Sequence, residues 1–306
     1  MSSNYAQIEA TCPICITQCA SQVFRTKSPE KNGLITFTAS GYSRGGRDLF
    51  KCMNCELIFC SPLPDPRHLS DSYDQGEDFD FISQNQSRIS TFAKALKKIH
   101  PEIRSRVCEE VVDVGTASGA FLVALRQHGG RGLGIEPNGW LVEHARTVYN
   151  VNVVKGDTAF LETLESAIRT VSMWDVLEHL PNPKEVADLL QRKIACGGHL
   201  LLSLPDTGSM SFKLLKFSWP MHLDVHLLYY NKSSLDALLV PRGFKLVESR
   251  KYTQELSLGY ILLRALRMTL DIPKEKALYK VLMSRLMQKV TIRYSIGQRF
   301  YLYKKV

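Results

Sequence analysis

The sequence predicts an α/β protein built on a mostly parallel sheet with helices on both faces. Val111 to Val114 form an apolar run, Gly115-Thr116-Ala117-Ser118-Gly119 make a small-residue turn, and Ala120 to Leu125 continue at helical spacing. Two further apolar runs, Gly132 to Glu136 and Val151 to Lys155, follow at one strand–helix unit each, and both give way to an acid, Glu136 and Asp157. These runs are apolar on both faces, as strands of a sheet covered on both sides must be.

The other elements follow in order. The helix after the first turn stops at Gly129-Gly130, and the next spans Asn138 to Tyr149. A fourth strand closes at Met173-Trp174, and a fifth, His199 to Leu204, follows Gly197-Gly198. A helix from Lys232 to Leu239 leads through Pro241 and Gly243 into a sixth strand, Lys245 to Ser249, and the last strand is Arg299 to Tyr303. Ahead of the sheet, Ile89, Phe92, Ala93, Leu96 and Ile99 predict one helix over 82–106 lying across the sheet mouth. Residues 256–291, rich in Leu and Met and broken at Pro273, read as a helical insertion. The expected organisation is a cysteine-rich segment over 1–62, a linker and lid helix over 63–106, and the α/β domain over 107–306.

The first turn suits a nucleoside-like ligand. Small residues let the backbone come close, and the following helix offers unpaired N–H groups and partial positive charge. Glu136, about twenty residues past that turn, is placed to accept hydrogen bonds from two ribose hydroxyls. Asp157, with Thr158 beside it, is placed to meet an exocyclic amine such as that of adenine.

After the fourth strand runs Met173-Trp174-Asp175-Val176-Leu177-Glu178-His179-Leu180-Pro181-Asn182-Pro183. Together with the turn and the two acids, this run resembles the class I S-adenosylmethionine-dependent methyltransferases, and most closely their small-molecule branch. The resemblance implies a Rossmann-like sheet of seven strands whose last two give it a reversed, antiparallel edge. It places Asp113, Gly115 and Gly119 at the methionine and ribose pocket, Glu136 and Pro137 at the ribose, and Asp157 and Thr158 at the adenine. Trp174 and Asp175 then line the methionine side, and the insertion forms a lid over the acceptor. The middle glycine usual in the first turn of this family is Ala117 here.

Two clusters are candidates for handling the acceptor. His179 closes the fourth strand, where it serves either as base or as a loop-orienting residue. Trp219 to Tyr230 contains His222, His226 and Tyr230, and its His-Leu-x-Tyr-Tyr end resembles a family motif beside the active site. His226 is favoured over His222 as base or acceptor positioner, with Tyr230 next to it. His68, His100, His128, His144 and His199 read as surface or packing residues.

Cys12-Pro13-Ile14-Cys15 and Cys52-Met53-Asn54-Cys55 are two knuckles separated by 36 residues. Four thiolates so spaced can enclose a structural, tetrahedral Zn²⁺ that holds together a segment too small to fold by burial alone. Cys19 and Cys60 stand in reserve. Methyltransferases of this branch often begin with such a ribbon, then a proline-bearing linker and a tyrosine, here Tyr73.

No run approaches the roughly 18–20 apolar residues of a membrane span, and Met1 to Tyr5 do not open a secretory signal, so the cytoplasm is the expected compartment. Residues 256–306 carry eleven Lys and Arg against Asp271 and Glu275, which accounts for the whole formal charge of +9. Such a segment suits an anionic substrate, a lipid headgroup or nucleic acid, but a pair of amphipathic helices with solvated outer faces is the favoured reading. The leading expectation is methylation of a small oxygen, carbon or nitrogen acceptor, such as a sugar nucleotide, quinol or secondary metabolite. Its rivals are an RNA-modifying methyltransferase and a noncatalytic cofactor-binding subunit. Against RNA, the basic residues are not interleaved with aromatic platforms, and no target-base motif follows the fourth strand.

Overall fold

A computed structural model describes residues 10–18, 20–26, 47–64, 77–165, 167–267, 273 and 276–306. Cys19, His68, Tyr73, Asp271 and Glu275 lie outside the described residues.

Strands β1 (Ala20–Phe24), β2 (Leu49–Cys52) and β3 (Ile58–Cys60) form an antiparallel ribbon. Helices α1 (Phe79–Ile82), α2 (Asn85–Lys97) and α3 (Pro101–Glu109) follow. One helix over 82–106 is therefore corrected to two, with a short one ahead of them. Pro101 starts a new helix because it has no N–H to give the preceding turn, and it holds His100 in an extended conformation with ψ 135°.

The α/β core alternates as predicted: β4 (Glu110–Val114), α4 (Ala120–Gln127), β5 (Arg131–Glu136), α5 (Gly139–Tyr149) and β6 (Val153–Lys155). Then come β7 (Ile168–Trp174), α6 (Pro183–Lys193), β8 (Ile194–Pro205), α7 (Met210–Leu215), β9 (Leu228–Tyr229), α8 (Lys232–Leu239) and β10 (Phe244–Lys251). The insertion holds β11 (Gln254–Ser257), α9 (Leu258–Arg267), α10 (Ala277–Leu282), α11 (Arg285–Lys289) and β12 (Thr291–Tyr294), before β13 (Gln298–Lys305). Caps match local sequence. Asn138 accepts the Leu141 N–H at 3.0 Å, and Asn231 and Ser234 form a capping box on α8.

The large sheet has seven strands in the order β10-β13-β8-β7-β4-β5-β6. Its core is apolar and sealed by Val114, Ile135, Val171, Met173, Leu200 and Leu202. β4, β5, β6, β7 and β8 are parallel, while β13 runs antiparallel to both β8 and β10. This corrects the expected reversed edge: only β13 is reversed, and it lies inside the sheet. The chain leaves at the end of β10 and re-enters beside it, so the segment between stands over the carboxyl ends of the parallel strands. The same return path sets β11 against β12 as an antiparallel pair, so the insertion is a two-stranded stalk bearing helices.

That lid is pinned to the helices before the sheet. The Glu255 N–H donates to Thr91 Oγ1 at 2.8 Å, and Arg267 pairs with the buried Asp80 at 2.8 Å. The ribbon is tied to the core as well, because β3 pairs with β9, Ile58 opposite Tyr229. Among the described residues no helix is long and apolar enough to cross a membrane.

Candidate active site

A cavity of about 800 Å³ opens at the carboxyl ends of β4, β5 and β7 and beneath the lid. An open parallel sheet has its crevice there, because the βα turns splay apart. The turn after β4 enters it with Gly115 at φ +70°. A Cβ at Gly115 would come within 2.5 Å of Val176 Cγ2, so only glycine fits this close pass. Ala117 also takes a left-handed conformation, φ +48°, and its N–H donates to Glu136 Oε2 at 2.8 Å.

Two acids stand at adjacent strand tips. Glu136 is buried, and its Oε1 accepts the Asn138 N–H at 3.0 Å. Asp113, also buried, accepts the Ser172 hydroxyl at 2.6 Å. Burial pushes both carboxyls up to about 7, against the hydrogen bonds that favour their ionised forms. Each carboxylate is thus partly desolvated and retains acceptor capacity that a ligand diol or ammonium can use. Asp157 is exposed at the cavity wall, where it caps a short turn by accepting the Ala159 N–H at 2.8 Å, and Thr158 and Pro137 line the wall beside it.

Trp174 packs in an aromatic cluster with Phe92, Phe121, Tyr252 and Phe300 at centroid distances of 5.1–5.8 Å. Its Nε1 is buried at the cavity wall without an acceptor in the protein. Asp175 next to it holds φ +57°, and donors from three elements converge on its carboxylate: Ser203 Oγ at 3.0 Å, Gln298 Nε2 at 3.0 Å and Gln254 Nε2 at 3.3 Å.

Glu178, His179 and His226 also meet in the wall of this cavity. The two imidazoles lie 4.9 Å apart in an edge-to-face contact. His179 Nδ1 bonds the Val225 carbonyl at 2.7 Å and His226 Nδ1 bonds the Met221 carbonyl at 2.8 Å. Burial lowers His179 to about 4 and His226 to about 3, with the His179 charge adding to the second, so both rings are neutral at pH 7. Burial, with the nearby Asp175 charge second, raises the Glu178 carboxyl well above its ordinary value.

The structure brings Asp113, Gly115, Glu136, Pro137, Asp157, Thr158, Trp174, Asp175, His179 and His226 to one cavity. Two expected residues are not in its wall. Gly119 caps α4 at φ +79°, where a Cβ would strike Val151 and Ala145, so it serves helix packing. Tyr230, which follows β9, is fully buried outside the wall, near Cys12 and Cys55 of the ribbon. His222 bonds the Phe217 carbonyl at 3.0 Å and is likewise outside the cavity. Sequence reasoning gave no role to Glu178, Arg88, Gln254 or Gln298. Glu178 stood within the run already singled out, whereas the other three come from the lid helix, the stalk and the last strand and carry no local signal.

In the ribbon, the Sγ atoms of Cys12, Cys15, Cys52 and Cys55 all lie within 4.8 Å of one another. Cys60, in reserve by sequence, is buried in β3 outside that cluster.

Residues 73–249 match the methyltransferase domain family. The match spans more than half of the 306 residues, and the chain belongs to that family. It is an enzyme of the methyltransferase class. No curated protein matches the chain. Among solved structures it is similar to an S-adenosylmethionine-dependent methyltransferase from Archaeoglobus fulgidus, at 19% identity over 74% of this chain and 100% of that one, TM-score 0.49. It is also similar to magnesium protoporphyrin IX methyltransferase from Synechocystis PCC 6803, at 14% identity over 79% and 100%, TM-score 0.49. A third is an S-adenosylmethionine-dependent methyltransferase from Thermotoga maritima, at 18% identity over 74% and 91%, TM-score 0.45.

Proposed function

We propose that the chain methylates a small-molecule acceptor by in-line displacement, with the cofactor held between the acids of β4 and β5 and the acceptor under the lid. The carrying observation is Glu136: a buried carboxylate at a strand tip, oriented by the Ala117 and Asn138 N–H groups and lining the cavity. Its remaining lone pairs suit the two ribose hydroxyls, Asp157 suits the adenine amine, and Asp113, Trp174 and Asp175 border the methionine end. When bound, the cofactor supplies an electrophilic methyl group on a sulfonium.

The protein's part is to orient the acceptor and keep water out. His179 and His226 are fixed by backbone carbonyls at Nδ1 and stay neutral, which fits them to position an acceptor hydroxyl or amine. Arg88 and Arg264 line the same cavity from the lid helix and the insertion, and suit an anionic group on either ligand. Enclosure by β11, β12 and α2 favours a small acceptor over a polymer. The four clustered cysteines suit a structural Zn²⁺ that fixes the ribbon against β9.

The test is methyl transfer from labelled cofactor across a panel of phenols, quinols, sugar nucleotides and amines, with total RNA as a parallel substrate. Transfer to a small molecule is expected. Transfer to RNA alone contradicts the reading.

A further inference from the structure

Glu178 is the least satisfied polar group in the cavity wall. Its side chain is fully buried, and neither carboxylate oxygen has a hydrogen-bond partner. An ionised carboxylate so placed is costly unless a cation meets it. Lys and Arg do not fill that role here, since none of the ion pairs among the described residues involves Glu178.

The groups that do approach are imidazoles. One carboxylate oxygen of Glu178 and one ring nitrogen each from His179 and His226 all lie within 4.8 Å of one another. His226 has its Nδ1 engaged by the Met221 carbonyl, which leaves Nε2 as its ligating nitrogen. A backbone carbonyl on the far nitrogen is the usual way a metal-ligating histidine is oriented and kept in the right tautomer. The loop carrying His226 is itself fixed to Glu178, since the Leu227 N–H donates to the Glu178 carbonyl at 2.9 Å.

We propose that Glu178, His179 and His226 form a divalent-metal site open to the acceptor end of the cavity. Two imidazoles and one carboxylate are the donor set of open, catalytic sites for Zn²⁺ and other first-row divalent ions, with the remaining positions left for water or substrate. The four-cysteine cluster offers only sulfur and leaves no such opening. Metal binding stands on the cluster alone, and its catalytic role rests on the methyl-transfer reading. In that role the ion acts as a Lewis acid on an acceptor hydroxyl. The hydroxyl proton passes to bulk water, the new C–O bond forms as the methyl C–S bond breaks, and the cofactor leaves as the neutral thioether. One carboxylate against a doubly charged ion leaves the ligand set itself net positive, with the Asp175 carboxylate nearby. It therefore favours acceptors with an ionisable oxygen, such as phenols, catechols and enols, over amines.

The experiment uses the full chain, stripped with a chelator and titrated with Co²⁺ while absorption and bound metal are recorded. Thiolate ligation gives intense charge-transfer bands, whereas the nitrogen and oxygen set gives only weak visible bands, so the two sites are counted separately. The expected result is a weak-band equivalent in the wild type, additional to the intense-band equivalent of the ribbon, that Glu178→Gln and His226→Ala abolish. The wild-type count decides the matter even where a variant fails to fold. No weak-band equivalent in the wild type, or its persistence in folded Glu178→Gln, overturns the proposal. Calorimetry of the stripped protein with S-adenosylmethionine separates the two readings. Cofactor heat without a metal equivalent sinks the metal site alone, and a metal equivalent without cofactor heat sinks only its proposed role.

Discussion

The backbone N–H of Ala117 donates to the Glu136 carboxylate at 2.8 Å, tying the turn after β4 to the tip of β5. The bond fixes the carboxylate against the cavity wall before any ligand arrives. Removing the carboxylate therefore removes an oriented acceptor and takes their partner from the Ala117 and Asn138 N–H groups.

Glu136→Ala is expected to weaken S-adenosylmethionine binding by about 1–3 kcal/mol, the cost of orphaned polar groups in a buried site. Isothermal calorimetry measures it directly. Affinity equal to wild type contradicts the ribose role.

Ala117 holds φ +48°, where a Cβ crowds the following carbonyl. Ala117→Gly relieves that crowding while adding freedom to the unfolded chain. Thermal unfolding is expected to show a variant no less stable than wild type, with a gain of at most about 1 kcal/mol, the scale of glycine's advantage in left-handed conformations. A clear loss of stability would show that the alanine methyl packs usefully.

Burial holds the Glu136 carboxyl at about 7, well above its ordinary 4.5. Accepting two hydroxyls requires the ionised form, so protons compete with the cofactor below neutrality. Cofactor affinity is expected to fall by up to about tenfold per pH unit below pH 7 and to level off above it, following one-proton linkage. Calorimetry between about pH 5.5 and 8.5 checks this through the same proton equilibrium. An affinity flat across the range would mean that Glu136 is already ionised or does not touch the ligand.

Cys52→Ser is expected to release the ribbon metal and loosen the β1–β3 ribbon. Because β3 pairs with β9 and the Cys60 N–H donates to the Leu227 carbonyl at 2.9 Å, the loss should extend into the loop carrying His226. Metal analysis and amide exchange at residues 223–230 read both effects. Stoichiometric zinc with unchanged exchange contradicts a metal-held ribbon.

The sheet was legible because its signals are local. Apolar runs, a small-residue turn and an acid at each strand tip lie within a few residues of one another, and all reappear in the structure. Glu136 and Asp157 stand within those local signals, and the structure brings both, with His226, to the cavity wall. The helix over 82–106 was misjudged where periodicity outweighed Pro101. Tyr230 lies outside the cavity wall, because sequence proximity to His226 does not say which way a side chain turns. What could not be read is long-range: Gln254 and Gln298 reach Asp175 from across the chain. The Glu178 carboxylate meets His226 only because the ribbon-bound loop folds back over the end of β7.

Titration of the full chain with S-adenosylmethionine and with its demethylated product tests the central claim most directly. One site binding both ligands, weakened in Glu136→Ala, is the predicted result. No heat from either ligand, together with binding of a nicotinamide or flavin nucleotide, would contradict it.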